Sequence, residues 1–92
     1  MKNLAVSKRF QKELKKLSTT EQEKVREVLK TLLHALKSGH MPAGLGFKKI
    51  NSDKYEIRVD LKTRIALKSE GDTLTGHLIG NHEQIKDFLK NS

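Results

Sequence analysis

Glu56, Arg58, Arg64 and His82 are the residues of this chain whose types and spacing suit chemistry on a phosphodiester. They fall in three short runs: Tyr55-Glu56-Ile57-Arg58-Val59, Thr63-Arg64-Ile65-Ala66-Leu67 and Leu78-Ile79-Gly80-Asn81-His82. In the first two, polar and apolar residues alternate, as half-buried strands require. The alternation sets Glu56 and Arg58 on one face and Tyr55, Ile57 and Val59 on the other. Cutting RNA without a metal needs a base for the 2′-hydroxyl, an acid for the leaving 5′-oxygen and cations for the phosphorane. Histidine suits the proton transfers because it titrates near neutrality. Arginine suits the phosphorane because its planar fork donates paired hydrogen bonds. One acid–base group supplies roughly 10²–10⁴-fold, so His82 alone would make a modest catalyst. Glu56 is the candidate to orient His82 or to act as a base itself.

The same residues also fit plainer roles. Arg58 and Arg64 fit exposed strand positions paired with Glu56 and Asp60, since cross-strand ion pairs are common. His82 follows Gly80-Asn81, where a histidine is often only a polar first-turn residue. His34, His40 and His77 read as exposed or structural. Lys48-Lys49, after Phe47, are candidates to reach a phosphate, with a solvated pair as the alternative. Phe88 is a core candidate that could instead stack on a base. The lysines of the first helix read as a solvated face with a general pull on nucleic acid. No spacing fits a metal site, because the four histidines are scattered without a carboxylate cluster. There is no Gly-rich phosphate loop, and no cofactor is expected.

These residues must be positioned by a small scaffold. Ninety-two residues are expected to form one domain, residues 1–92, with a modest core and no room for a large cofactor cradle. Cysteine is absent, which removes disulfides and thiolate chemistry and fits a reducing cytoplasm. Residues 1–6 lack an apolar run of signal-peptide length, and no stretch approaches the roughly 20 apolar residues of a membrane span. The net charge is +8 and the pI about 9.9, which favours polyanionic partners. Residues 1–46 hold ten Lys or Arg against four Asp or Glu, whereas residues 47–92 hold nine against seven. The helical half thus carries most of the long-range attraction. Tryptophan is absent and aromatics are few, so a broad base-stacking platform is not expected.

Ser7 reads as the cap of a first helix with Phe10, Leu14 and Leu17 as its apolar stripe. Thr20-Glu21-Gln22-Glu23 reads as the capping box of a second helix running to about Lys37. Gly39 terminates it and Pro42 prevents its resumption. The short link predicts a helical hairpin. Residues 2–6 fit either an edge strand or a frayed start. Strands are predicted at about 45–50, 54–60, 63–69 and 73–79, with turns at Asn51-Ser52-Asp53 and Glu70-Gly71-Asp72. Gly80-Asn81 should cap a short helix from His82 to about Leu89. The predicted fold is α+β: a two-helix N-terminal hairpin on one face of a small, mainly antiparallel twisted sheet, with a short C-terminal helix. The other face should be open, carrying Glu56, Arg58 and Arg64, with His82 at its rim.

The run Phe10…Leu14-Lys15-Lys16-Leu17, the long second helix, Gly44-Leu45-Gly46-Phe47-Lys48-Lys49-Ile50, and the three runs quoted above resemble the RelE/ParE superfamily of toxins from type II toxin–antitoxin systems. The resemblance spans nearly the whole chain in order and spacing. It implies the RelE-like microbial RNase fold and a toxin that cuts mRNA in the ribosomal A site, inhibiting translation. It also implies a cognate antitoxin as partner, alongside the ribosome and mRNA, with no membrane and no small-molecule cofactor. Arg58 matches a catalytic lysine or arginine of RelE-like toxins. Arg64 matches an arginine that contacts the scissile phosphate. His82 matches an arginine of RelE-type members and a catalytic histidine of YafQ-type relatives. Phe88 falls near a catalytic tyrosine whose hydroxyl it lacks, and Glu56 replaces a lysine. These departures favour a histidine-centred mechanism. The ParE-like alternative is inhibition of DNA gyrase without nuclease activity.

Overall fold

The computed structural model describes residues 2–90. Among these residues the order is β1 (Asn3–Val6), α1 (Lys8–Lys15), α2 (Thr19–Ser38), a 3-10 turn (Ala43–Leu45), β2 (Lys48–Lys49), β3 (Lys54–Arg58), β4 (Arg64–Glu70), β5 (Thr73–Gly80) and α3 (His82–Lys90). The strands form one sheet in the order β1-β5-β4-β3-β2. β2 to β5 run antiparallel to their neighbours, and β1 adds to the β5 edge in parallel. Residues 3–6 are therefore an edge strand. β1 ends opposite Gly76, and beyond it the Ile79 N–H donates to Glu13 Oε1 of α1 at 3.1 Å. A helix side chain thus takes over where the strand stops.

The helices start where side chains satisfy their first amides. Ser7 Oγ accepts from the Phe10 amide, as predicted. The second helix begins two residues earlier than the Thr20 reading. Its cap is Ser18, which accepts from the Glu21 amide while Glu21 reaches back to the Ser18 amide. Ser18 and Thr20 each stand three residues before a glutamate, so the pattern was degenerate. Gly39, in left-handed conformation (φ 77°), ends the helix as expected.

The first core lies between the sheet and the hairpin. Phe10, Val25 and Leu32 pack there against Ile57, Ile65, Leu67 and Leu74, all fully buried. Gly76 of β5 leaves room for the Phe10 ring, which a Cβ at that position would meet at 3.2 Å. The expected 45–50 strand is shortened to Lys48–Lys49, because residues 43–45 turn and Gly46 adopts a left-handed conformation (φ 59°).

The opposite face is not open along its whole length. Ile85 of α3 packs there with Ala66 and Leu78, and Phe88 and Leu89 cover this second, smaller core. A register shift at Ala66/Leu67 pairs Leu67 with Gly76 and Ala66 with Leu78, so His77 has no counterpart on β4. Asn81 and Gln84 cap α3 reciprocally: the Gln84 amide donates to Asn81 Oδ1 at 2.9 Å, and the Asn81 amide to Gln84 Oε1 at 2.8 Å. Among the described residues, no helix is long and apolar enough to cross a membrane.

Candidate functional site

Strand pairing decides which basic residues share a face. Arg58 of β3 stands directly opposite Arg64 of β4, and Glu56 is opposite both Ala66 on β4 and Lys48 on β2. Directly paired residues point to the same side of a sheet. Lys48, Glu56, Arg58 and Arg64 therefore share the face on which α3 lies. Lys49 pairs with Tyr55, whose ring stacks on Phe47 at 5.0 Å over the first core, so Lys49 stands on the other face.

Glu56 is not an open-face residue. Only 7% of it is exposed, and its Oε2 lies 3.5 Å from Arg64 Nη1. The pair fixes one arginine and neutralises one charge where Arg58 and Arg64 stand opposite each other on neighbouring strands. Among the described residues, Arg58 has no such carboxylate partner. Its side chain runs over Gly46, where a Cβ would lie 3.4 Å from Arg58 Cβ and 3.8 Å from Nε. Asp60 does not pair with an arginine. Its Oδ1 accepts from the Lys62 and Thr63 amides at 2.9 and 2.8 Å, and its Oδ2 lies 3.7 Å from Lys24 Nζ. The Lys62 amide does most to hold its carboxyl below the usual range; burial, next in size, opposes it, and the Thr63 amide and Lys24 add smaller lowering effects.

A cavity of about 410 Å³ opens between β2, β3 and α3. Glu56 and Lys48 line one side, and His82, Lys86 and Lys90 line the other. Its apolar wall is Ile50 and Leu89. His82 is exposed at the first turn of α3. Lys86 and Lys90 follow at i+4 and i+8 and share its helical face. Sequence reasoning missed these two lysines, although that spacing was visible. Arg64 reaches the cavity wall through Glu56.

Phe88 is half-buried in the second core and stacks on His77 with centroids 6.1 Å apart. His77 in turn meets Glu70 at 3.3 Å. Hydrogen bonds from His77 and then Thr75 hold the Glu70 carboxyl below its usual range. His34 and His40 are exposed, away from these contacts. Among the described residues, no three His, Cys, Asp or Glu side chains group to hold a metal ion.

No protein-family model and no curated protein matches the chain. Solved structures do. A chain of the RelB–RelE antitoxin–toxin complex from Methanococcus jannaschii superposes with a TM-score of 0.67 over 91% of this chain and 96% of that one, at 22% identity. The chain has the RelE-type toxin fold. The Escherichia coli DinJ–YafQ complex matches the same fold with a TM-score of 0.65 at 19% identity, covering 92% of this chain and 98% of that one. The YoeB/ParE toxin from Agrobacterium tumefaciens matches with a TM-score of 0.63 at 11% identity, covering 87% and 98%. These structural neighbours are toxins of toxin–antitoxin systems, solved alone or with antitoxins. In the RelE-type fold, the cavity of this chain lies on the sheet face away from the helical hairpin.

Proposed function

We propose that this chain is the toxin of a toxin–antitoxin system and cleaves mRNA on the ribosome, in the cytoplasm, without needing a metal. The observation that carries this reading is the cavity itself, where a histidine and a nearly buried glutamate meet three lysines. His82 is the acid–base residue: it takes the proton of the 2′-hydroxyl or returns one to the leaving 5′-oxygen. The 2′-oxygen attacks phosphorus, and the bond to the 5′-oxygen breaks. Arg58 and Arg64, paired across two strands, stabilise the charge that builds on the phosphorane. Glu56 holds Arg64 for that task and is the second acid–base candidate. Lys48, joined by Lys86 and Lys90, draws the RNA backbone to the site. Lys49, on the other face, contributes only to the general field.

The partner that silences the toxin is a cognate antitoxin. The RelB–RelE and DinJ–YafQ neighbours were solved as such complexes. A segment with acidic and apolar residues would complement this chain's basic surface.

Translation-coupled mRNA cleavage in a purified system tests the reading. Wild type should cut. His82→Ala and Arg64→Ala should each lose about 10²-fold or more. Full activity in both variants would overturn the mechanism. Inhibition of gyrase supercoiling that survives His82→Ala, with no mRNA cleavage, would instead mark the ParE-like activity.

A further inference from the structure

The cavity has an apolar wall that proton transfer and phosphate stabilisation do not use. Ile50 is one side of it. It continues the face of Lys48, two residues before it, and its amide donates to the Lys54 carbonyl at 2.8 Å, so its position is fixed by the β2–β3 hairpin. Yet the side chain is 37% exposed. It is not a lone exposed side chain, because it shares a charged cavity with a second apolar residue. Leu89 is the other side, seven residues after His82 and on the same helical face, half-buried where α3 meets the sheet. Lys48, Lys86 and Lys90 surround the pair, and their methylene stems extend its apolar area.

We infer that Ile50 and Leu89 form a shelf for one unstacked nucleobase of single-stranded RNA, with the adjoining phosphates held by Lys48, Lys86 and Lys90. An apolar wall beside several cations matches a nucleotide, which joins an apolar ring face to an anionic linkage. The volume, about 410 Å³, lies within the range of small-ligand pockets. Glu56 decides between two anionic occupants of similar shape. Its carboxylate only accepts hydrogen bonds, and the ionised carboxylate of an acidic side chain has none to donate. The amino and imino donors of a base suit it, whereas an acidic peptide side chain does not. A base inside a duplex would not reach the shelf, so the site selects unpaired RNA. The shelf would thereby choose which nucleotide lies beside the cleaved bond. This rests on the site being one that takes RNA for cleavage.

The test reads binding without cleavage. A five-nucleotide oligoribonucleotide with a 2′-O-methyl group at every position is titrated into the purified chain by fluorescence anisotropy. The same oligonucleotide lacking only the central base serves as comparison. Loss of the base should weaken binding about tenfold. Ile50→Ser and Leu89→Ser should remove most of that difference while leaving the abasic strand bound as before. Lys86→Ala should weaken both strands alike. Ile50 is exposed, so its variant should melt as the wild type does, which keeps the test valid if Leu89→Ser unfolds. Equal affinity for both strands in the wild type would overturn the shelf, as would an unchanged difference in Ile50→Ser. Binding of an acidic, apolar peptide at the cavity with no base-dependent RNA affinity would also overturn it, and would assign the wall to a protein partner. Base-dependent binding without any mRNA cleavage in a translating system would leave the shelf standing and sink the proposed activity instead.

Discussion

Glu56 is the residue whose position changes most between pattern and structure. Alternation placed it correctly on the face of Arg58, but alternation carries no information on what lies above that face. α3 and Lys48 cover it and leave it 7% exposed beside Arg64. A nearly buried carboxylate among several cations supports the fold as well as any chemistry. Glu56→Gln keeps the shape and removes the charge, leaving Arg64 uncompensated. The variant should lose about 2 kcal/mol of stability, read as a lower urea midpoint with an unchanged slope. A midpoint equal to wild type would show that the pair contributes nothing to the fold and leave Glu56 a purely chemical part. Arg58, Arg64 and His82 were legible as candidates from residue type and spacing. Lys86 and Lys90 were legible only through their i+4 and i+8 spacing from His82, because a lysine in so basic a chain is no signal by its type.

Elements hold these residues through their caps and close approaches. Two overlapping boxes, Ser18 to Glu21 and Thr20 to Glu23, offered the start of α2 twice. The chain uses the first, with Ser18 in extended conformation (ψ 161°) and Gln22 Nε2 also bound to the Leu17 carbonyl at 2.9 Å. Ser18→Ala should therefore cost about 1 kcal/mol, and Thr20→Ala less than about 0.5 kcal/mol, in matched thermal or urea unfolding. The reverse order would restore the Thr20 start. Gly80 matters for a different reason. A Cβ there would lie 2.6 Å from Gln84 Oε1 and 2.9 Å from Gln84 Cβ. Gly80→Ala should break the reciprocal cap of α3, cost about 1 kcal/mol and speed amide exchange across the first turn that bears His82. Unchanged exchange in that turn would mean that the close approach is easily relieved. The glycine was visible in the sequence; the closeness of α3 to β5 that requires it was not.

At the scale of the molecule, the acid response follows from two carboxyls. Asp60, through the Lys62 and Thr63 amides and Lys24, and Glu70, through His77 and Thr75, both titrate below their ordinary range in the fold. A depressed folded-state pKa means that the unfolded chain binds the proton more readily. The stabilisation is therefore fully present at neutral pH and drains away as pH falls from about 4 downward. Asp60→Asn, which can still accept the two turn amides, should be less stable than wild type at pH 7. The difference should shrink in strong acid, as followed by urea unfolding at a series of pH values. A constant difference across that range would place the role of Asp60 in geometry rather than charge.

The amino-acid sequence by itself determined the α+β class, the helical hairpin, the antiparallel strands, the basic balance and the face shared by Glu56 and Arg58. These follow from periodicities of 3.6 and 2 residues, from capping and turn residues, and from composition, all of which act over a few neighbours along the chain. Only the tertiary structure decided that residues 3–6 join β5 in parallel and that α3 covers the second sheet face. It also decided that Lys48 and Lys49 part company and that His82, Glu56, Lys86 and Lys90 line one cavity. Those outcomes depend on pairing and packing between residues tens of positions apart, and no local pattern encodes which distant surface will meet which.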